Sequence, residues 1–263
     1  MHTRKTLVMA AALWAAVPGA SAQDKKVLSV EDYGEWKSIR SVELSADGDW
    51  FAYALDPNEG DRTLFIESID GDGAHEIPNG TSPEFARGGD HAAYLVRPGE
   101  GERNGTTKMV LLDLGTGETT EYDNVRRFEF SEDGAYLLVT KSRPRGGDRP
   151  EHDGRDTLLI DLDARSDTPA VRHLGSVSDA EFSGDEPEYL AYTVDAADMA
   201  GNGLYLLDLD TEALMPLATS QERYARIAWT EEGERLAVMR GTTPDGMAQR
   251  ENEIIAWDID DLR

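Results

Sequence analysis

The stretch LSADGDWFAYAL, residues 44–55, sets Asp47-Gly48 directly before the apolar run from Trp50 to Leu55. Asp-Gly favours a tight turn, because glycine takes positive φ without steric cost and aspartate bonds its own backbone two residues on. The stretch therefore reads as the turn and second strand of a hairpin. The phrase recurs, as FARGGDHAAY ending at Tyr94, FSEDGAYLLV at Val139, FSGDEPEYLAY at Tyr192 and WTEEGERLAV at Val238. From Tyr53 onward the steps are 41, 45, 53 and 46 residues. A second phrase follows each first one: TLFIESIDGD from Thr63, MVLLDLGTGE from Met109, TLLIDLDARS from Thr157, LYLLDLDTEA from Leu204 and EIIAWDID from Glu253. Each is an apolar strand entering an Asp- or Gly-rich turn, which is a second hairpin signal.

Four strands in a period of about 45 residues match the blade of a β-propeller. The predicted fold is all-β: a β-propeller of four-stranded antiparallel blades, four complete (roughly 40–80, 81–123, 124–175 and 176–222) and a fifth, 223–263, that is incomplete. The fifth has strands near 226–229, 236–240 and 253–257 and no outer strand. A bare strand edge invites pairing with another chain. Either residues 24–39 return to supply that strand and close a five-bladed ring, or the chain is the front portion of a longer propeller, which the edge favours. The one helical signal is a short turn opening at Ser29, with Asp32 three residues on as its capping partner. Connections between second and third strands (56–62, 97–107, 142–156, 195–203 and 241–252) are long and polar. In an up-and-down blade they share one face, where function is expected.

Residues 1–22 read as a cleaved export signal: His2, Arg4 and Lys5, an apolar stretch over 7–17, then Ala20-Ser21-Ala22. Eleven apolar residues fall short of the roughly 20 that span a bilayer. A lead-in segment, 23–39, precedes the propeller, and the mature chain is expected to be periplasmic or secreted, with no membrane span after cleavage. There is no cysteine, hence no disulfide or thiolate metal site. Acidic residues number 52 against 26 basic ones, a net charge of −26, and the basic side is 20 Arg and 6 Lys. A field of that sign repels phosphate backbones and argues against nucleic acid as a partner. A Lys-poor acidic surface suits work in salt, and suits a plain solvated surface equally well.

The residue types that carry chemistry do not assemble into a site. A hydrolase serine needs the G-x-S-x-G elbow; Ser82 and Ser176 have a glycine on one side only and read as loop or turn serines. His75, His91, His152 and His173 lack the helical pair spacing of a zinc site. His91 reads as a strand position and His152 as solvent-exposed. The Asp-rich turns at Asp70–Gly73, Asp161–Asp163, Asp208–Asp210 and Asp258–Asp261 lack the ligand count and distal acid of a calcium loop. They read as turn chemistry. Glu231 and Glu232 form a paired carboxylate in the turn slot of the fifth phrase and read as solvent-facing. No catalytic, cofactor-binding or metal-binding residue is assigned, and no cofactor is expected.

The lead-in LSVEDYGEW, the copies LSADGDWFAY and FSEDGAYLLV, the strand MVLLDLGTGETTEYDNV, and the late pair AGNGLYLLDLDT and YARIAWTEEGERLAVMRG together resemble the amino-terminal propeller of exported bacterial serine peptidases of the prolyl oligopeptidase family. The resemblance covers residues 28–263. It implies a non-catalytic body that gates or docks peptides for a carboxy-terminal α/β-hydrolase domain holding the Ser, Asp and His triad. No position here matches a triad residue. The expected partners are a peptide or protein, and a hydrolase domain in cis if the chain is a fragment. The alternative is a free-standing periplasmic propeller that binds a protein or envelope partner.

Overall fold

The alternating runs form eighteen strands in a computed structural model that describes residues 29–71, 73–99, 101–102, 105–144, 146, 152–163, 170–242 and 250–262. The predicted signal, 1–22, and the first part of the lead-in, 23–28, lie outside the described residues. The first sheet contains β1 (Lys37–Leu44), β2 (Trp50–Pro57), β3 (Thr63–Ser68) and β4 (Ala74–Pro78). The second contains β5 (Gly80–Phe85), β6 (His91–Val96), β7 (Lys108–Asp113) and β8 (Thr119–Tyr122). A seven-stranded sheet follows, with β9 (Val125–Phe130), β10 (Tyr136–Lys141), β11 (Arg155–Asp161), β12 (Ala170–Phe182), β13 (Tyr189–Val194), β14 (Gly203–Asp208) and β15 (Leu214–Thr219). The last sheet has β16 (Arg223–Trp229), β17 (Arg235–Thr242) and β18 (Glu251–Asp258). Within each sheet every strand pairs antiparallel with its neighbours in sequence, and no sheet closes on itself.

The seven-stranded sheet arises because β12 serves two hairpins. Residues 170–174 pair with β11 and residues 177–182 with β13. The junction is Gly175-Ser176, where Ser176 turns left-handed at φ 54°. The division expected at 175/176 thus falls inside one continuous strand. Ahead of β1, a 3₁₀ turn covers Val30–Glu35, and Asp32 Oδ2 accepts the Ser29 N–H at 2.7 Å, as the sequence cap predicts. Of the segment 24–39, residues 37–39 pair with β2 at the start of β1. Among the described residues β18 pairs only with β17.

Strand alternation gives each sheet two apolar faces, and consecutive sheets, as well as the two halves of the seven-stranded one, bury them against one another. Ala52, Ala54, Leu64 and Ile66 of the first sheet meet Tyr94, Val110 and Leu112 of the second. The next seam joins Leu95, Met109 and Leu111 to Phe128, Leu137 and Leu158. Leu138 and Leu159 then pack on Leu190, Tyr192 and Leu207, and Leu204 and Leu206 on Tyr224, Leu236 and Val238. Each Leu or Ile fully buried in these seams contributes about 1.5–3 kcal/mol. The outer faces of the end sheets have no such cover among the described residues. Phe51, Tyr53 and Phe65 stack at 5.9 and 5.2 Å on the first, beside exposed Ile39 and Leu44, and Ile254 on the last is 80% exposed.

The recurrent phrase builds a hydrogen-bonded turn. Ser45 Oγ accepts the Trp50 N–H at 2.9 Å and donates to Asp47 Oδ1 at 2.5 Å, while Asp47 also accepts the Asp49 N–H. Ser131, Asp133, Ala135 and Tyr136 repeat these contacts at the same distances. Ser183 and Thr230 take the hydroxyl role in the later copies, accepting from Tyr189 and Arg235. Ala86 occupies that position in the second sheet, so the turn closes there without a hydroxyl. Gly134 meets two demands, since its φ is +80° and a Cβ there would lie 2.7 Å from the Arg87 backbone nitrogen in the neighbouring turn.

Gly134→Ala is expected to cost about 2 kcal/mol or more, combining left-handed strain with a backbone clash. Ser131→Ala should cost about 1 kcal/mol, the worth of one hydrogen-bonded hydroxyl. Urea unfolding of the two variants measures the difference. Equal losses would mean that the hydroxyl, rather than the approach of one turn to the next, sets the geometry.

Candidate functional site

The first strands of the successive hairpin pairs are β1, β5, β9, the second half of β12, and β16, and they share two cavities. Their edges are irregular: bulges break the register at Arg40/Glu43, Thr81/Glu84, Val177/Asp179 and Ala225/Ala228. Ser41, Ser82 and Arg226 sit in three of these bulges with φ between 51° and 59°. A non-glycine residue held left-handed costs roughly 1–2 kcal/mol. Bulges re-aim side chains and are enriched beside functional sites.

The first cavity, about 490 Å³, lies at the end where the first strands run into their turns. Glu43, Glu84 and Glu129 occupy the same place in β1, β5 and β9, each followed by an apolar residue, Leu44, Phe85 or Phe130. Glu181-Phe182 repeats the pair at the end of β12, and Ala228-Trp229 breaks it in β16. Arg87 and Glu132 line the same space. Burial, with repulsion from Glu129 and then Glu43, pushes the Glu84 carboxyl up to about 7. Water reaches its outer side, while protein crowds the rest. Glu181 is raised as well, by burial and by Asp179 and Glu129.

The second cavity, about 370 Å³, opens at the opposite rim, where first and third strands begin and the long connections lie. Arg126 and Arg127 on β9, Arg155 on β11 and Arg223 on β16 line it with Asp153, Glu129 and Asp179. Arg223 is ion-paired with Asp153, whose N–H donates to Asp195 Oδ2 at 2.7 Å. Asp179 Oδ2 accepts the Ile227 N–H at 3.1 Å. Burial and the neighbouring guanidiniums of Arg126, Arg143 and Arg127 lower the Arg155 pKa. Beside this space, a cavity of about 340 Å³ is lined by His152, Asp195, Asn202, Glu222, Arg223 and Arg250.

The residues weighed in the sequence are scattered. Ser82 and Ser176 lie in the irregular edges of β5 and β12, not on a strand-to-helix elbow. His75 leans on Trp50 with ring centroids 6.2 Å apart, His91 opens β6 opposite Asp113, and His173 is exposed on β12. His152 differs from its reading: it is half-buried, its Nδ1 lacks a hydrogen-bond partner among the described residues, and its carbonyl accepts from Arg143. Asp161, Asp208 and Asp258 each accept the N–H two residues on, at 3.0, 3.1 and 3.3 Å, which is turn chemistry. Glu231 and Glu232 sit exposed between β16 and β17. Sequence reasoning missed both cavities. The glutamates were visible as a repeated Glu-Phe or Glu-Leu before each turn, whereas only the pair Arg126-Arg127 hinted at the arginines.

No family model matches this sequence, and no curated protein matches it. Solved structures do. An eukaryotic initiation factor gives a TM-score of 0.50 at 18% identity, over 84% of this chain and 53% of that one. The β-propeller domain of the trilobed protease from Pyrococcus furiosus, an open velcro propeller, gives 0.49 at 16% over 86% and 69%. The acylaminoacyl peptidase of Pyrococcus horikoshii gives 0.47 at 15% over 86% of this chain and 39% of its own length. Propeller regions of prolyl oligopeptidase-family peptidases are among the structures this chain resembles. At these identities the likeness concerns the fold alone.

The raised Glu84 carboxyl carries a sign. Its folded pKa stands above the unfolded value, so the native state holds the proton more tightly, and stability falls as pH rises from about 4.5 to about 7. Glu84→Gln removes that loss. Its melting temperature relative to the parent should rise across this window and level off above it. A difference independent of pH would remove Glu84 from the coupled group.

Proposed function

We propose that this chain is the exported, non-catalytic propeller region of a prolyl-oligopeptidase-type serine peptidase, with four blades and a partial fifth, and that it gates or docks peptides for an α/β-hydrolase domain outside these residues. The observation that carries the reading is the pair of charged cavities on the first strands, one at each rim. A body that admits peptides needs polar, water-accessible walls where its strands converge, and a rim of long loops to receive them. The ordered set of phrases supports the family assignment, and the positions of Ser82 and Ser176 support a role without a nucleophile. Among the described residues no helix is long and apolar enough to cross a membrane. Placement in the periplasm or outside the cell rests on the signal at 1–22.

Two measurements on the 263-residue chain test this. A fluorophosphonate serine probe should leave it unlabelled, and labelling would overturn the non-catalytic reading. Fluorescence anisotropy with a labelled unstructured peptide should show saturable binding without cleavage. Absence of saturable binding would overturn the docking role.

A further inference from the structure

We propose that the arginine-lined cavity at the loop-bearing rim holds the free C-terminal carboxylate of a docked peptide, an inference that rests on the docking reading above. Two observations carry it. The side chains of Arg126, Arg127 and Arg155 have no ion pair or hydrogen bond among the described residues, in a chain with twice as many acids as bases. Any surface arginine here has carboxylates within easy reach, so guanidiniums gathered from β9 and β11 and left to repel one another stand against the charge balance of the whole molecule. Thr157, in the same wall, is 2% exposed and its hydroxyl has no partner among the described residues. Buried polar groups without partners are rare in folded proteins and call for a specific cause.

The charge count selects the ligand. Four guanidiniums face three carboxylates, Asp153 being committed to Arg223 and Asp179 to the Ile227 N–H. One net positive charge suits a monoanion better than a dianionic phosphate. Guanidinium forks bind the two oxygens of a carboxylate in parallel, and such charge-assisted bonds are about twice as strong as neutral ones. Phe128, Leu138, Val177 and Ala180 complete the lining and offer an apolar side chain a seat beside the carboxylate. A peptide ending in an apolar residue fits both halves. At about 370 Å³ the space is at the small end of ligand pockets, enough for a chain end and not for a folded partner.

The test is calorimetric titration of the 263-residue chain with acetyl-Ala-Ala-Leu as the free acid and as the C-terminal amide, with inorganic phosphate as a third probe. The acid should bind about tenfold tighter than the amide or more, the worth of one or two hydrogen bonds to a charged group. Arg155→Gln and Arg127→Gln should each shrink that ratio, and Arg172→Gln, on the outer part of β12, should leave it intact. Arg127 is exposed, so its variant reports on binding without a folding defect, which thermal melting checks. Acid and amide binding alike would overturn the inference and leave the docking reading standing. Phosphate binding as tightly as the acid would overturn the assignment to a carboxylate. If neither these peptides nor longer ones bind, the docking reading falls with it.

Discussion

Everything in this molecule hangs on apolar faces of successive sheets lying against one another. No cysteine is available to staple the chain, and each hairpin pair alone is too thin to bury its own side chains. The seams follow one rule: their buried aromatic side chains, Tyr94, Phe128, Tyr192 and Tyr224, look back along the chain, onto alanine, leucine and other aliphatic side chains that look forward. Ala52 and Ala54 meet Tyr94, and Ala191 with Leu204 meets Tyr224. The end sheets obey the same rule, although nothing among the described residues covers their outer faces. The first shows Phe51, Tyr53 and Phe65 on its rearward face, and the last shows Ala237, Met239 and Ile254 on its forward one. Their composition is that of a seam.

The same rule explains what the sequence made legible. A seam needs its sheet rebuilt at every repeat, so the turn must be rewritten each time, and the Ser-x-Asp-Gly phrase is visible because it repeats. Ser45 and Ser131 make the same contacts within their turns 86 residues apart because the same Ser-x-Asp-Gly turn is written at both places. The continuity of β12 was not legible. Gly175-Ser176 looks like a break by propensity, and the strand survives because β11 and β13 hold its two halves. His152 was misjudged for a similar reason: its sequence neighbours are polar, while the fold sets it in one cavity with Asp195 and Asn202, residues distant in the chain. Contacts that join distant segments leave no periodic trace.

The arginine cavity is the extreme case. Arg126 and Arg155 lie on different strands of one sheet and Arg223 on another, and the strand order alone brings them to a common rim. The glutamates of the other cavity lie at equivalent positions of successive repeats, so repetition itself assembles them. One arrangement is inherited from the repeat. The other departs from it, because the first strands of the other sheets do not carry an arginine pair at the corresponding place. A feature present once in a repeat protein is not required by the repeat, and so its cause must be sought outside folding.

Charge then gives the inner strands a direction. Guanidiniums gather at the loop-bearing rim, three of the four without a side-chain partner among the described residues, and carboxylates crowd the other until one of them, Glu84, holds its proton near neutral pH. That crowding is unfavourable within the free protein, since like charges in a half-buried space raise one another's pKa. It is relieved whenever a cation enters, just as the arginine repulsion is relieved by an anion. An extended peptide carries one of each at its two ends. In a field polarised this way the two orientations of a peptide differ in energy, because reversing it places each end against its own sign. On the docking proposal, the potential that makes each cavity costly in isolation is the same potential that would orient a peptide lying between them.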